Sequence, residues 1–82
     1  MQAVISEKLA AALDPAELQV TTIDEASGKF EVYVVSSAFE GKGLLARHRM
    51  INDIMKPELE NNAVHALSIK GTRTPAEVAP KS

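Results

Sequence analysis

The segment Lys29–His65, KFEVYVVSSAFEGKGLLARHRMINDIMKPELENNAVH, contains the change of hydrophobic period on which the fold turns. It begins with period two. Phe30, Val32 and Val34 point one way, and Glu31, Tyr33 and Val35 the other, which predicts a strand over Lys29–Ser36. A loop follows over Ser37–Gly43. From Leu44 the period becomes helical. Leu44, Leu45, His48, Ile51, Ile54 and Met55 recur at steps of one, three and four, and predict a buried stripe. Arg47, Arg49 and Asp53 then lie toward solvent, with Arg49 and Asp53 spaced to pair. Pro57 is placed to start a second short helix, with Leu59 as its apolar contact, and Asn61-Asn62 to end it.

Working outward, Val64–Lys70 (VHALSIK) predicts another strand, with His65, Leu67 and Ile69 on one face. Two helices between strands form a long crossover, which suits a parallel pair with a right-handed connection. Upstream, Ile5, Leu9, Ala12 and Leu13 make a helical stripe over Met1–Leu13, stopped at Asp14-Pro15. Leu18–Ile23 alternates as a half-buried strand. Ile23 falls out of phase, so the strand bulges or ends near Thr22. The polar turn Asp24–Gly28 joins it to the next strand as an antiparallel hairpin, with Gly28 able to supply positive φ. Thr74 is placed as the N-cap of a single helical turn over Pro75–Glu77. Residues 79–82 are expected to fray.

The element order is therefore α-β-β-α-α-β. It predicts an α+β fold, a three-stranded mixed sheet with helices packed on one face, in a single domain spanning residues 1–82.

The chain has 82 residues, a net charge of -2 and no cysteine. So short a chain buries a modest fraction of its surface, and no disulfide supplements the core. A thiol nucleophile or cysteine-based metal site of its own is excluded. With no Trp, one Tyr and two Phe, the core must be mainly aliphatic. The pI near 5.6 argues against a dedicated nucleic-acid binder. Positive charge is nonetheless concentrated: Lys42, Arg47 and Arg49 occur without an intervening acid, and Lys70 and Arg73 follow. No run approaches the roughly 20 apolar residues of a membrane span, and no secretory signal is visible. A soluble cytoplasmic protein is the expectation; an organelle protein that has lost its transit peptide looks the same.

Phosphate-loop, dinucleotide-binding and zinc-protease motifs are absent, and the carboxylates are scattered. An enzyme is not expected. His48 shares the phase of Leu44, Ile51 and Met55 and reads as an edge-of-core histidine, since two flanking arginines disfavour a nearby cation. His65 stands at the mouth of a strand. Position alone leaves two readings, a structural histidine or a ligand for iron, zinc or copper whose other ligands come from a partner. The glycines of the Phe39–Gly43 loop, with Lys42, Arg47 and Arg49, read either as an anion site at a helix N-terminus or as a simple strand-to-helix turn.

The run FEVYVVSSAFEGKGLLARHRMIND (30–53), followed by VHALSIKGTRTPAE (64–77), resembles the BolA family. The likeness extends from about Ile5 to Glu77. It is most specific in Phe39–Ile51 and His65–Lys70. The resemblance implies a fold similar to class II KH domains and a non-enzymatic role as partner of monothiol glutaredoxins. The pair can share a [2Fe–2S] cluster bound by the glutaredoxin cysteine, glutathione and the BolA-like chain, whose C-terminal histidine ligand falls on His65. Lys42, Arg47, Arg49, Lys70 and Arg73 are then partner-docking residues. The alternative, also drawn from the family, is a DNA-binding regulator of stress response and morphology that uses the same cations. One departure stands out. Many members carry Cys or His in the loop between the first two strands. Here that loop has only Asp24 and Glu25 as ionisable donors, hard oxygen ligands that suit such a cluster poorly.

Overall fold

A computed structural model describes residues 1–79 of the chain. The elements are α1 (Gln2–Leu13), β1 (Glu17–Asp24), β2 (Lys29–Val35), a 3-10 turn (Ser37–Phe39), α2 (Leu44–Ile54), α3 (Lys56–Glu60), β3 (Ala66–Arg73) and α4 (Pro75–Val78). Beyond Ala79, the expected frayed tail lies outside the described residues.

The sheet order is β1-β2-β3. β1 and β2 pair antiparallel, from Glu17 opposite Val35 to Asp24 opposite Lys29, with the register shifting between Thr22 and Asp24. Ile23 is the extra residue there and is 54% exposed, the bulge its broken alternation predicts. β2 and β3 pair parallel, as the helical crossover requires. A second shift makes Val32 face Ile69 and Tyr33 face Gly71, so Lys70 is unpaired. That extra residue resets the phase of β3. Leu67 and Ile69 turn toward the core before it, and Thr72, fully buried, after it. β3 therefore runs three residues past the end of the Val64–Lys70 strand expected, and it begins two residues later, at Ala66. A single alternating pattern cannot be read through a bulge.

One face of the sheet carries the core. Phe30, Val32 and Val34 of β2 pack with Ile5, Leu9 and Leu13 of α1, with Ile51 and Met55 from the α2 segment, and with Phe39 and Val64. The α1 stripe runs in steps of four, and Ala12 is exposed. Asp14 closes α1 in the left-handed region at φ 43°. Lys8 reaches from α1 to Glu58 of α3 at 2.7 Å. This hydrogen bond holds the Glu58 carboxyl below its ordinary pKa. At the free edge of β1, the Gln2 side-chain amide donates to the Val20 carbonyl at 2.8 Å.

The stripe expected along α2 is correct in its C-terminal half and wrong at its start. Ile51 and Met55 are buried, and His48, Met50 and Ile54 are partly buried. Leu44 and Leu45 are each 64% exposed. Spacing identifies the face of a helix, but not where the core beneath it ends. Arg47, expected in solvent, is turned inward. No ion pair joins Arg49 to Asp53 among the described residues; the i,i+4 pair that forms is Lys56–Glu60, at 3.8 Å.

Candidate ligand site at His65

Two connections built for different reasons meet at His65. The first is the end of the α2–α3 crossover. Asn62 takes φ 63°, as expected for an Asn that stops a helix. The Asn61 side chain accepts from the Ala63 N–H at 2.8 Å. The Val64 N–H donates to the Glu58 carbonyl at 3.0 Å, and the Val64 side chain is fully buried. The chain therefore reaches His65 already fixed on one side. The second connection is the β1–β2 turn. Asp24 accepts from the Ser27 hydroxyl at 2.8 Å, and the Gly28 N–H donates to the Glu25 carbonyl at 3.1 Å. Gly28 adopts φ 67°, which few other residues accept.

The Gly28 carbonyl then accepts twice, from the His65 N–H at 2.8 Å and the Ala66 N–H at 3.2 Å. His65 is held by its backbone at the point where β3 starts, and the residue is exposed. Neutral imidazole on a rigid backbone with open access is suited to metal ligation. The surrounding donors are oxygens. Asp24 is occupied by Ser27, whose hydrogen bond is the main reason its carboxyl sits below its ordinary pKa. Glu25 is exposed. Among the described residues, no three His, Cys, Asp or Glu side chains converge as a metal site. A [2Fe–2S] cluster belonging to this chain alone does not fit. A cluster whose remaining ligands come from elsewhere fits with His65 as the single nitrogen donor.

The basic residues lie largely at the other end of β3. Arg73 is eight positions beyond His65, about 26 Å along a strand. Lys42, Arg49, Lys70 and Arg73 are exposed. Arg47 is not: its side chain is 11% accessible. Its Nε donates to the Lys42 carbonyl at 2.8 Å, and one terminal nitrogen donates to the Thr72 carbonyl at 2.9 Å and to Glu77 at 2.7 Å. The guanidinium also lies over the Phe39 ring, 5.9 Å from its centre. Glu77 serves two elements, because the same carboxylate accepts from the Thr74 N–H at 2.8 Å in the capping box of α4. Hydrogen bonding to Arg47 is the largest cause that lowers the Glu77 pKa from 4.5 to about 2. Arg47 thus ties the Phe39 loop, the end of β3 and α4 together. Arg47, the middle one of the cations Lys42, Arg47 and Arg49, holds the fold at this end. His48 is half-buried at the edge of the core, as expected.

Two features were missed from the sequence. Phe39 is fully buried within a segment read as a loop, and Gly28 touches His65. Periodicity carries no signal for a single buried ring in a turn, or for contact between turns 37 residues apart in the chain.

The family model described as BolA-like protein matches residues 9–77. The protein BOLA2 of Arabidopsis thaliana is 44% identical over 79 residues, covering 95% of this chain and 83% of that protein. The SufE-like protein 1, chloroplastic/mitochondrial, of the same plant is 40% identical over 89 residues, covering 90% of this chain and 24% of that longer protein. The solved BolA domain of SufE1 from Arabidopsis thaliana superposes with a TM-score of 0.85 at 42% identity, covering 94% of both chains. The α+β topology, the Phe39–Ile51 and His65–Lys70 segments and these matches agree: the chain belongs to the BolA family.

Proposed function

We propose that this protein is a non-enzymatic partner of a monothiol glutaredoxin in iron–sulfur cluster assembly, trafficking or iron sensing. His65 contributes one ligand to a [2Fe–2S] cluster completed by the glutaredoxin cysteine and glutathione. The observation that carries this reading is the exposed His65 fixed at the start of β3 by the Gly28 carbonyl. A lone, rigid, accessible imidazole without further soft donors is a half-site, and a half-site calls for a partner. The cluster is cargo, and the chain's contribution is one donor atom held in place. Where Asp24 and Glu25 stand instead of Cys or His, the heterodimer can also form without a cluster.

Lys42, Arg49, Lys70 and Arg73 are the accessible charges for docking. Arg47 acts behind them by shaping that end of the fold. Its internal role also weakens the alternative of a DNA-binding regulator, which loses Arg47 from its set of accessible cations. No helix among the described residues is long and apolar enough to cross a membrane. The cytoplasm is the setting we assign, with an organelle matrix as the second, since one relative is named chloroplastic/mitochondrial.

The test is anaerobic reconstitution with a monothiol glutaredoxin, glutathione and iron, read by visible absorption and circular dichroism. The His65→Ala heterodimer is expected to lose its distinct cluster spectrum and to release iron at least about tenfold faster, in line with typical losses at metal sites. An unchanged spectrum and release rate would remove His65 from the ligand set.

A further inference from the structure

We propose that Gly28 is a positioning residue for His65, an inference that rests on the glutaredoxin-partner reading of the site. The turn and the histidine are in direct contact through backbone. A Cβ built on Gly28 would stand 3.0 Å from the His65 nitrogen, 3.3 Å from the His65 Cβ and 3.4 Å from the Ala63 carbonyl oxygen. The two contacts to His65 are tighter than ordinary packing, so His65 must give way by a few tenths of an ångström, and the nearer of the two atoms is backbone. Neither atom can swing aside like the end of a long side chain. The same residue accepts the His65 and Ala66 N–H groups, at 2.8 and 3.2 Å. Any side chain at position 28 therefore pushes on the atoms that aim the imidazole while stretching the hydrogen bonds that hold them. Glycine is needed here for two separable reasons, its φ of 67° and the space occupied by His65.

Gly41 separates these reasons. It has φ 75°, and a Cβ built on it meets nothing within 4 Å. Gly41→Ala carries the left-handed strain without the contact. Gly28→Asn does the reverse, since Asn accepts left-handed backbone while still bringing a Cβ. In the reconstituted heterodimer, Gly28→Ala and Gly28→Asn are expected to cut the cluster signal at least fivefold and shift its visible circular dichroism. Gly41→Ala should leave both unchanged.

A readout without partner or iron accompanies this. The His65 and Ala66 amides should shift and exchange faster with solvent in both Gly28 variants, and stay as in the parent protein in Gly41→Ala. If the parent protein gives no cluster with the glutaredoxin, the partner reading fails, and the amide readout still decides whether Gly28 places His65. A wild-type cluster spectrum and wild-type amides in folded Gly28→Asn would overturn the inference, leaving backbone strain as the whole reason for the glycine.

Discussion

Phe39→Ala is expected to destabilise the domain by about 3–5 kcal/mol, the range for deleting a fully buried aromatic ring. Phe39 is 0% exposed and sits in a 3-10 turn capped by Ser36, whose hydroxyl accepts from the Ala38 N–H and donates to the Leu13 carbonyl at 2.6 Å. The ring joins the core shared by α1, β2 and α2, and its outer side faces the Arg47 guanidinium. Removing it leaves a cavity and also strips Arg47 of its aromatic support. For a chain of this size, stability is of order 4–12 kcal/mol, so the loss approaches the whole at the low end. Melting should fall by more than about 10 °C, and urea titration should show a lower midpoint. Phe39→Leu retains most of the volume and should lose roughly half as much. A melting temperature within about 2 °C of the parent would mean that Phe39 is not part of the core.

Arg47→Ala is the second large effect. Two backbone carbonyls, of Lys42 and Thr72, lose a charged donor, and Phe39 loses its cover. Hydrogen bonds to a charged group contribute about 1.5–3 kcal/mol each before relaxation and solvent entry, so a net loss of about 2–4 kcal/mol is expected. Arg47→Lys should recover only a minority of it, because one ammonium group cannot span acceptors arranged for a planar fork. A fully stable Arg47→Lys protein would show that charge alone suffices.

The same pair sets an acid dependence. The Glu77 pKa is lower in the folded chain, about 2, than its ordinary 4.5. Its stabilising contribution is therefore complete above about pH 4.5 and is lost as the pH falls toward 2. Asp24 and Glu58 are shifted in the same direction, so they share the acid limb. In Arg47→Ala the part due to Glu77 should shrink, and the stability profile between pH 4.5 and 2 should flatten relative to the parent. An equally steep limb would remove Arg47 as the main cause of the low pKa.

The fold was legible wherever one side chain reports on one face. The alternation of Phe30, Val32 and Val34, the out-of-phase Ile23 and the Thr74–Glu77 capping pattern all appear in the structure where expected. It was illegible where faces change without notice. The unpaired Lys70 resets β3, and α2 starts beyond the core that its stripe announces. Arg47 shows the same limit for charge. A helix phase places it beside Arg49, but whether an arginine faces water depends on acceptors elsewhere, here on β3 and α4. His65 could be placed at a strand mouth from its neighbours alone. Its clamp to Gly28 could not, since it joins turns that only tertiary structure brings together.

That clamp also bears on the order in which the site comes into being. The β1–β2 hairpin and α1 are close in sequence and can associate early. The parallel β2–β3 pairing must wait until the whole α2–α3 crossover has been laid down. The turn belongs to the early part and His65 to the late part, and they meet only when β3 docks on β2. On a ribosome, the nascent chain presents an unaligned histidine until β3 has emerged. Only a finished domain offers an aligned one, so the alignment of His65 doubles as a proof of folding.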